Sequence, residues 1–128
     1  MRVVFCEPNR FAKVIDVQND LDSLYKLLHC DLVEAVYPWE DNACIICDDE
    51  GKLTGKDLCR ALRDEDGDIY DVVAGPFIVA GLGEEDFKSL TDEQAEFYWQ
   101  KFYHPELFVW SGDAIVALPY DGFSDGGE

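Results

Sequence analysis

The stretch Thr91-Asp92-Glu93-Gln94-Ala95-Glu96-Phe97-Tyr98-Trp99-Gln100-Lys101-Phe102-Tyr103-His104-Pro105 decides how the chain is read. Thr91 with Gln94 three residues on is a capping box, in which each side chain satisfies the other's free backbone N–H. Ala95, Tyr98, Trp99 and Phe102 then recur at helical spacing, so one face of a helix running to about Tyr103 is apolar. His104-Pro105 ends it. A second helix is expected from Asn19, its cap, to about His29, with Leu21, Leu24, Tyr25 and Leu28 on one face. Strand signals surround these helices: Arg2 to Glu7, Phe11 to Val17, Leu32 to Tyr37, Ala43 to Cys47, Ile69 to Val73 and Pro76 to Ala80. A last hairpin is expected over Phe108 to Leu118, turning at Ser111-Gly112-Asp113. Interleaving of this kind predicts an α+β fold, a single domain with a mostly antiparallel sheet and two principal helices. The domain is expected over residues 1–120, with 121–128 a flexible acidic tail.

Three shorter readings complete the outline. Lys56 to Arg63 is expected as a short helix after Gly55. Gly83 before Glu84-Glu85-Asp86 reads as a helix start, with the acids matched to the helix dipole. Pro76 is expected at a sheet edge or a bulge, because it has no N–H to give a ladder.

The chain has 128 residues, 28 Asp+Glu against 10 Lys+Arg, and a formal net charge of −18. Its apolar fraction of 48% and aromatic fraction of 13% exclude a disordered acidic chain. The charge opposes direct binding to nucleic acid or an anionic membrane. Residues 1–63 carry −4 and residues 64–128 carry −14, so nearly all the positive charge lies before residue 64. Half of that early positive charge falls in Lys52, Lys56, Arg60 and Arg63. No signal peptide or spanning segment is read, and five cysteines fit free thiols in a reducing compartment, which gives a cytoplasmic expectation.

Familiar chemistries fail on spacing. Cys44-Ile45-Ile46-Cys47 has C-x-x-C spacing but no second ligand pair for zinc, and on a strand its two thiols face opposite ways. Asp64, Asp66, Asp68 and Asp71 do not place Gly and Glu where a calcium loop needs them. Gly81-Leu82-Gly83 resembles a phosphate turn, but three acids follow it and would repel phosphate. His29 and His104 both read as helix-end residues. No nucleophile setting accompanies any serine. The expectation is a protein that is not an enzyme, with no metal and no cofactor.

The most distinctive segment is Arg60-Ala61-Leu62-Arg63-Asp64-Glu65-Asp66-Gly67-Asp68-Ile69-Tyr70-Asp71-Val72-Val73-Ala74-Gly75. Its A-L-R-D-x-x-G-x-I-Y-D-x-x-A-G core at residues 61–75 resembles the domain-of-unknown-function 3846 family. Val36-Tyr37-Pro38-Trp39 and Gly81 to Phe87 (G-L-G-E-E-D-F) are similar to two further segments of that family. The similarity runs over about residues 1–110. It implies a small protein of phages, plasmids or conjugative elements, a setting in which accessory proteins act against host defence. It implies no mechanism.

Two functional readings are open for this segment beside a purely structural one, an Arg–Asp network pinning the turn. In the first, Arg60 and Arg63 share a helix face and fork onto a phosphate. Trp39 or Tyr70 then stacks on a base, and Asp71 accepts from a ribose hydroxyl or base edge. The chain would sequester a small nucleotide-type ligand, with a homo-oligomer as a possible way to build the pocket. In the second, the acids of residues 64–128 imitate DNA and occupy the groove of a basic nucleic-acid-binding protein.

Overall fold

A computed structural model of the chain describes residues 1–122. Twelve elements follow one another: β1 Arg2–Cys6, β2 Lys13–Asp16, α1 Leu21–Leu28, β3 Val33–Val36, β4 Ala43–Asp48, β5 Leu58–Arg63, β6 Ile69–Ala74, β7 Phe77–Leu82, β8 Phe87–Lys88, α2 Asp92–Lys101, β9 Glu106–Ser111 and β10 Ala114–Pro119. All pairings are antiparallel. The main sheet runs β2-β1-β7-β4-β3, with β8 on the far end of β7. Two hairpins, β5-β6 and β9-β10, form separate two-stranded sheets. The chain is a single α+β fold, as the sequence predicts.

The main sheet separates two cores. Val3, Phe5, Cys44, Ile46, Ile78 and Ala80 face Leu24 and Leu28 of α1. Their neighbours Val4, Cys6, Ile45, Cys47, Phe77 and Val79 face the opposite way, onto Ala95, Tyr98 and Phe102 of α2 and onto Cys59, Leu62 and Val73 of the β5-β6 hairpin. Strand alternation sets this division. It also explains why every residue of β4 is buried: a strand covered on both faces has no polar side. Cys44 and Cys47 lie in different cores, so the C-x-x-C spacing does not make a pair.

The capping box forms as expected: Gln94 N donates to Thr91 Oγ1, and Thr91 N donates to Gln94 Oε1. The first helix is capped by Asp20 rather than Asn19, with Asp20 Oδ1 accepting from Ser23 N at 2.7 Å. Asn19 instead donates to the Phe87 carbonyl at 2.9 Å and ties the helix entry to β8. His29 closes α1 in the left-handed region, at φ 53°.

Three expectations are corrected. Lys56 to Arg63 holds no helix: Leu58–Arg63 is strand β5, paired with β6. Its local helix propensity yields to the hairpin, which lays Cys59 and Leu62 over the sheet. The residues after Gly83 form a turn into β8, with Gly83 N donating to the Asp86 carbonyl at 2.8 Å. Pro76 is not at an edge, because the strand it precedes, β7, lies at the centre of the sheet. It needs no ladder bond there, since it stands just outside β7 in a turn made by Gly75 at φ 82°.

Of the expected tail, residues 123–128 lie outside the described residues. Gly122 rests on the body: a Cβ there would sit 2.6 Å from the Asn9 carbonyl oxygen.

Candidate functional site

A cavity of about 360 Å³ opens where β5, the end of α2 and the C-terminal hairpin meet. Arg60 and Arg63 line it from β5, Gln100, Lys101, Phe102 and His104 from the end of α2, and Glu106 and Pro119 from the hairpin. Three of the chain's ten Lys and Arg and one of its two His thus meet beside a single carboxylate.

Arg60 is the structural hub of this region and is 1% exposed. Its Nε donates to the Phe102 carbonyl at 2.9 Å, at the end of α2. Nη1 donates to the carbonyls of Glu7 (3.2 Å) and Cys59 (3.0 Å), and Nη2 to that of Arg10 (2.8 Å). A guanidinium has five N–H donors, so these four bonds leave one Nη2 hydrogen. Among the described residues no carboxylate forms an ion pair with it; carbonyl dipoles stabilise the charge instead. The α2 C-terminus adds the negative end of a helix dipole, about half a charge.

Arg63 is partly exposed and stands on Glu106, Nη2 to Oε2 at 2.5 Å. The other oxygen of Glu106 accepts from Ala61 N at 2.9 Å. Glu106 is buried, so it fixes Arg63 and joins β5 to β9 at once. The expected helix face does not exist, yet Arg60 and Arg63 do line one cavity.

Trp39, Tyr70 and Asp71 are not brought to it. Trp39 packs on Tyr98, ring centroids 4.5 Å apart, at the edge of the second core. The Tyr98 hydroxyl donates to Asp41 at 2.8 Å, which holds the Asp41 carboxyl below the usual range. Asp71 is held by Lys52 at 2.6 Å. Tyr70 lines a different hollow, with Trp110 and Ile115.

The basic cluster read from Lys52 to Arg63 is also dispersed. Lys56 caps α1, donating to the carbonyls of Leu28 (3.1 Å) and His29 (2.6 Å), and pairs with Asp48 at 2.8 Å. Burial pushes the Asp48 carboxyl up, but Lys56 and the Glu50 N–H outweigh it and the net direction is down. The residues missed were Gln100, Lys101 and Glu106. Each looks like an ordinary helix-end or strand residue in sequence, and only the packing of α2 on β5 brings it to the arginines.

Asp64, Asp66 and Asp68 bring their carboxylates within 4.8 Å of one another on the exposed β5-β6 turn. Asp64 Oδ1 accepts from the backbone of Asp66 and Asp68 at 3.0 Å each, so the turn uses it internally.

Among the described residues no helix is long and apolar enough to cross a membrane. No curated protein and no solved structure matches the chain. A family match over residues 1–103 takes in the β5-β6 hairpin, both helices and the arginines of the cavity. The chain therefore belongs to the family described as a domain of unknown function, DUF3846.

Proposed function

We propose that this protein is a non-catalytic binding protein of a phage or mobile genetic element, holding a small phosphate-bearing, nucleotide-type ligand in the Arg63–Lys101 cavity in the host cytoplasm. Counter-defence is the setting that suits such sequestration. The observation that carries the reading is a local reversal of sign. A chain of net charge −18 gathers Arg60, Arg63 and Lys101 around one hollow, with Glu106 on its wall and Glu96 behind it, bonded to Gln100 at 2.7 Å. The α2 dipole removes about half a charge more and leaves the balance positive by about half a charge. Charges farther than about 8–10 Å are screened at physiological salt, so the local set governs a small anion. The volume also lies within the ~300–1,000 Å³ of small-molecule pockets.

The recognised part is the phosphate, not the base. Neither Trp39 nor Tyr70 lines the cavity. Arg63 supplies a guanidinium already fixed by Glu106, Lys101 supplies its ammonium, and Gln100, one amide hydrogen of which goes to Glu96, supplies the other. The test is a thermal-shift panel of cyclic nucleotides, ADP-ribose derivatives, ordinary nucleotides and inorganic pyrophosphate. A rise in midpoint that Lys101→Ala and Gln100→Ala diminish supports the reading. Arg63→Ala is less informative, because it strands the buried Glu106 carboxylate. No rise with any phosphate compound refutes it.

A second reading, an acidic protein that occupies a basic groove, is favoured by one observation. Asp64, Glu65, Asp66 and Asp68 on one turn and Glu84, Glu85 and Asp86 on another are all exposed.

A further inference from the structure

The β5-β6 and β9-β10 hairpins leave a groove between them. Two adjoining hollows, of about 380 and 590 Å³, share Ile69, Trp110 and Ile115 as walls. Trp110 is 71% exposed and Tyr70 is 55% exposed, whereas Trp39 and Trp99 are half-buried against the core. Tyr70 also sits at an irregularity of the ladder: Leu62 pairs with Asp71 and Arg63 with Ile69, so Tyr70 has no partner across the hairpin. An unpaired bulge residue is aimed by the bulge rather than by strand alternation.

Carboxylates rim the groove. Asp68 and Asp113 line one hollow and Asp71 the other. The two cations on its walls are already neutralised, Lys52 by Asp71 and Arg63 by Glu106. What remains is a pair of exposed aromatic faces beside uncompensated acids. Polyanions are repelled there. A neutral apolar segment would bury Asp68 and Asp113 without partners, at a cost. A guanidinium satisfies both features, since it stacks on an aromatic face and forks onto a carboxylate.

We infer that this groove is a docking surface for an arginine-rich segment of a basic protein. The inference deepens the acidic-surface reading and rests on it for the charge, while the groove shares only Arg63 with the lining of the anion cavity. Arginine is preferred to lysine because the ammonium lacks the planar face and the fork.

The test uses fluorescence anisotropy with labelled octa-arginine and octa-lysine on the whole chain at physiological salt. Octa-arginine is expected to bind more tightly. Tyr70→Ala with Trp110→Ala leaves the net charge unchanged and is expected to weaken octa-arginine binding about tenfold. Both side chains are exposed, and circular dichroism checks that the variant folds. Asp68→Asn with Asp113→Asn is expected to weaken binding more than Glu84→Gln with Glu85→Gln, which removes the same charge from the β7-β8 turn. If the aromatic variant binds as wild type and both acid pairs act equally, the groove is overturned and only diffuse acidic attraction stands. If octa-arginine does not bind even at low salt, the groove and the acidic-surface reading both fail.

Discussion

Replacing Arg60 with Met keeps an unbranched side chain and removes the guanidinium. The carbonyls of Phe102, Cys59 and Arg10 then lose the guanidinium donor, and that of Glu7 keeps only the Arg10 N–H at 3.3 Å. Leaving a buried acceptor unpaired costs about 1–3 kcal/mol. Two effects keep the total below the sum over these acceptors. Water enters from the neighbouring cavity, and the variant no longer desolvates a charge, itself a penalty of several kcal/mol. The expected net loss is about 3–4 kcal/mol, close to that of breaking a buried ionic network. For a chain of this size that lowers the melting midpoint by roughly 10–15 °C. Arg60→Lys keeps the charge but cannot reach all four acceptors, and is expected to lose about half as much. The assay is urea unfolding followed by tryptophan fluorescence, with the m-value checked for constancy. A loss under about 0.5 kcal/mol for Arg60→Met would refute the view that this guanidinium joins the N-terminal turn, β5 and the end of α2.

Three further outcomes follow from the geometry. Tyr98→Phe removes the bond to Asp41 and is expected to cost about 1 kcal/mol, discounted because Asp41 is exposed. The Asp41 carboxyl is lowered by that bond, so its contribution is full above about pH 4 and is lost as pH falls through the folded value. Burial and Asp41 raise Tyr98, so its contribution is present below about pH 10 and is lost above. Urea midpoints of wild type and Tyr98→Phe across pH 3–11 check both signs; equal profiles would contradict them. Thiol labelling of the native protein is expected to modify Cys30 first. Burial pushes Cys6 and Cys47 up to about 12 and Cys44 to about 11, and Cys59 well above its ordinary value. Rapid labelling of several thiols without denaturant would contradict the packing. Thr91→Ala breaks the capping box and is expected to cost about 1 kcal/mol in the same urea assay, while Thr91→Ser is expected to keep most of it.

The sequence carries the elements better than their assembly. Thr91 and Gln94 announce α2 because a capping box is local chemistry, and the short unbroken apolar runs of β1 and β7 announce strands because both of their faces are covered. Lys56 to Arg63 misleads because Lys, Leu, Ala and Arg are good helix formers, and only pairing with Ile69–Ala74 overrides that preference. The same segment gives the site its partial legibility. Arg60 and Arg63 are conspicuous in sequence and do meet in one cavity, yet what distinguishes them is tertiary. Arg60 is spent on carbonyls from two distant stretches of chain, the turn at Glu7 to Arg10 and the end of α2, and on that of its neighbour Cys59. Lys101 and Glu106 are ordinary until α2 packs against β5. Trp39 or Tyr70 is the aromatic that residue type offers for stacking on a base, whereas the Trp39 ring fills the space beside Tyr98, a choice that residue type alone does not reveal.

The most direct measurement of the central claim is a titration of ¹⁵N-labelled protein with inorganic pyrophosphate, followed by amide and guanidinium NMR shifts. The account predicts saturable changes confined to Ala61, Arg63, Gln100, Lys101 and His104, abolished in Lys101→Ala with Gln100→Ala. Shifts scattered over Lys26, Lys52 and Lys88, or none at all, would contradict it.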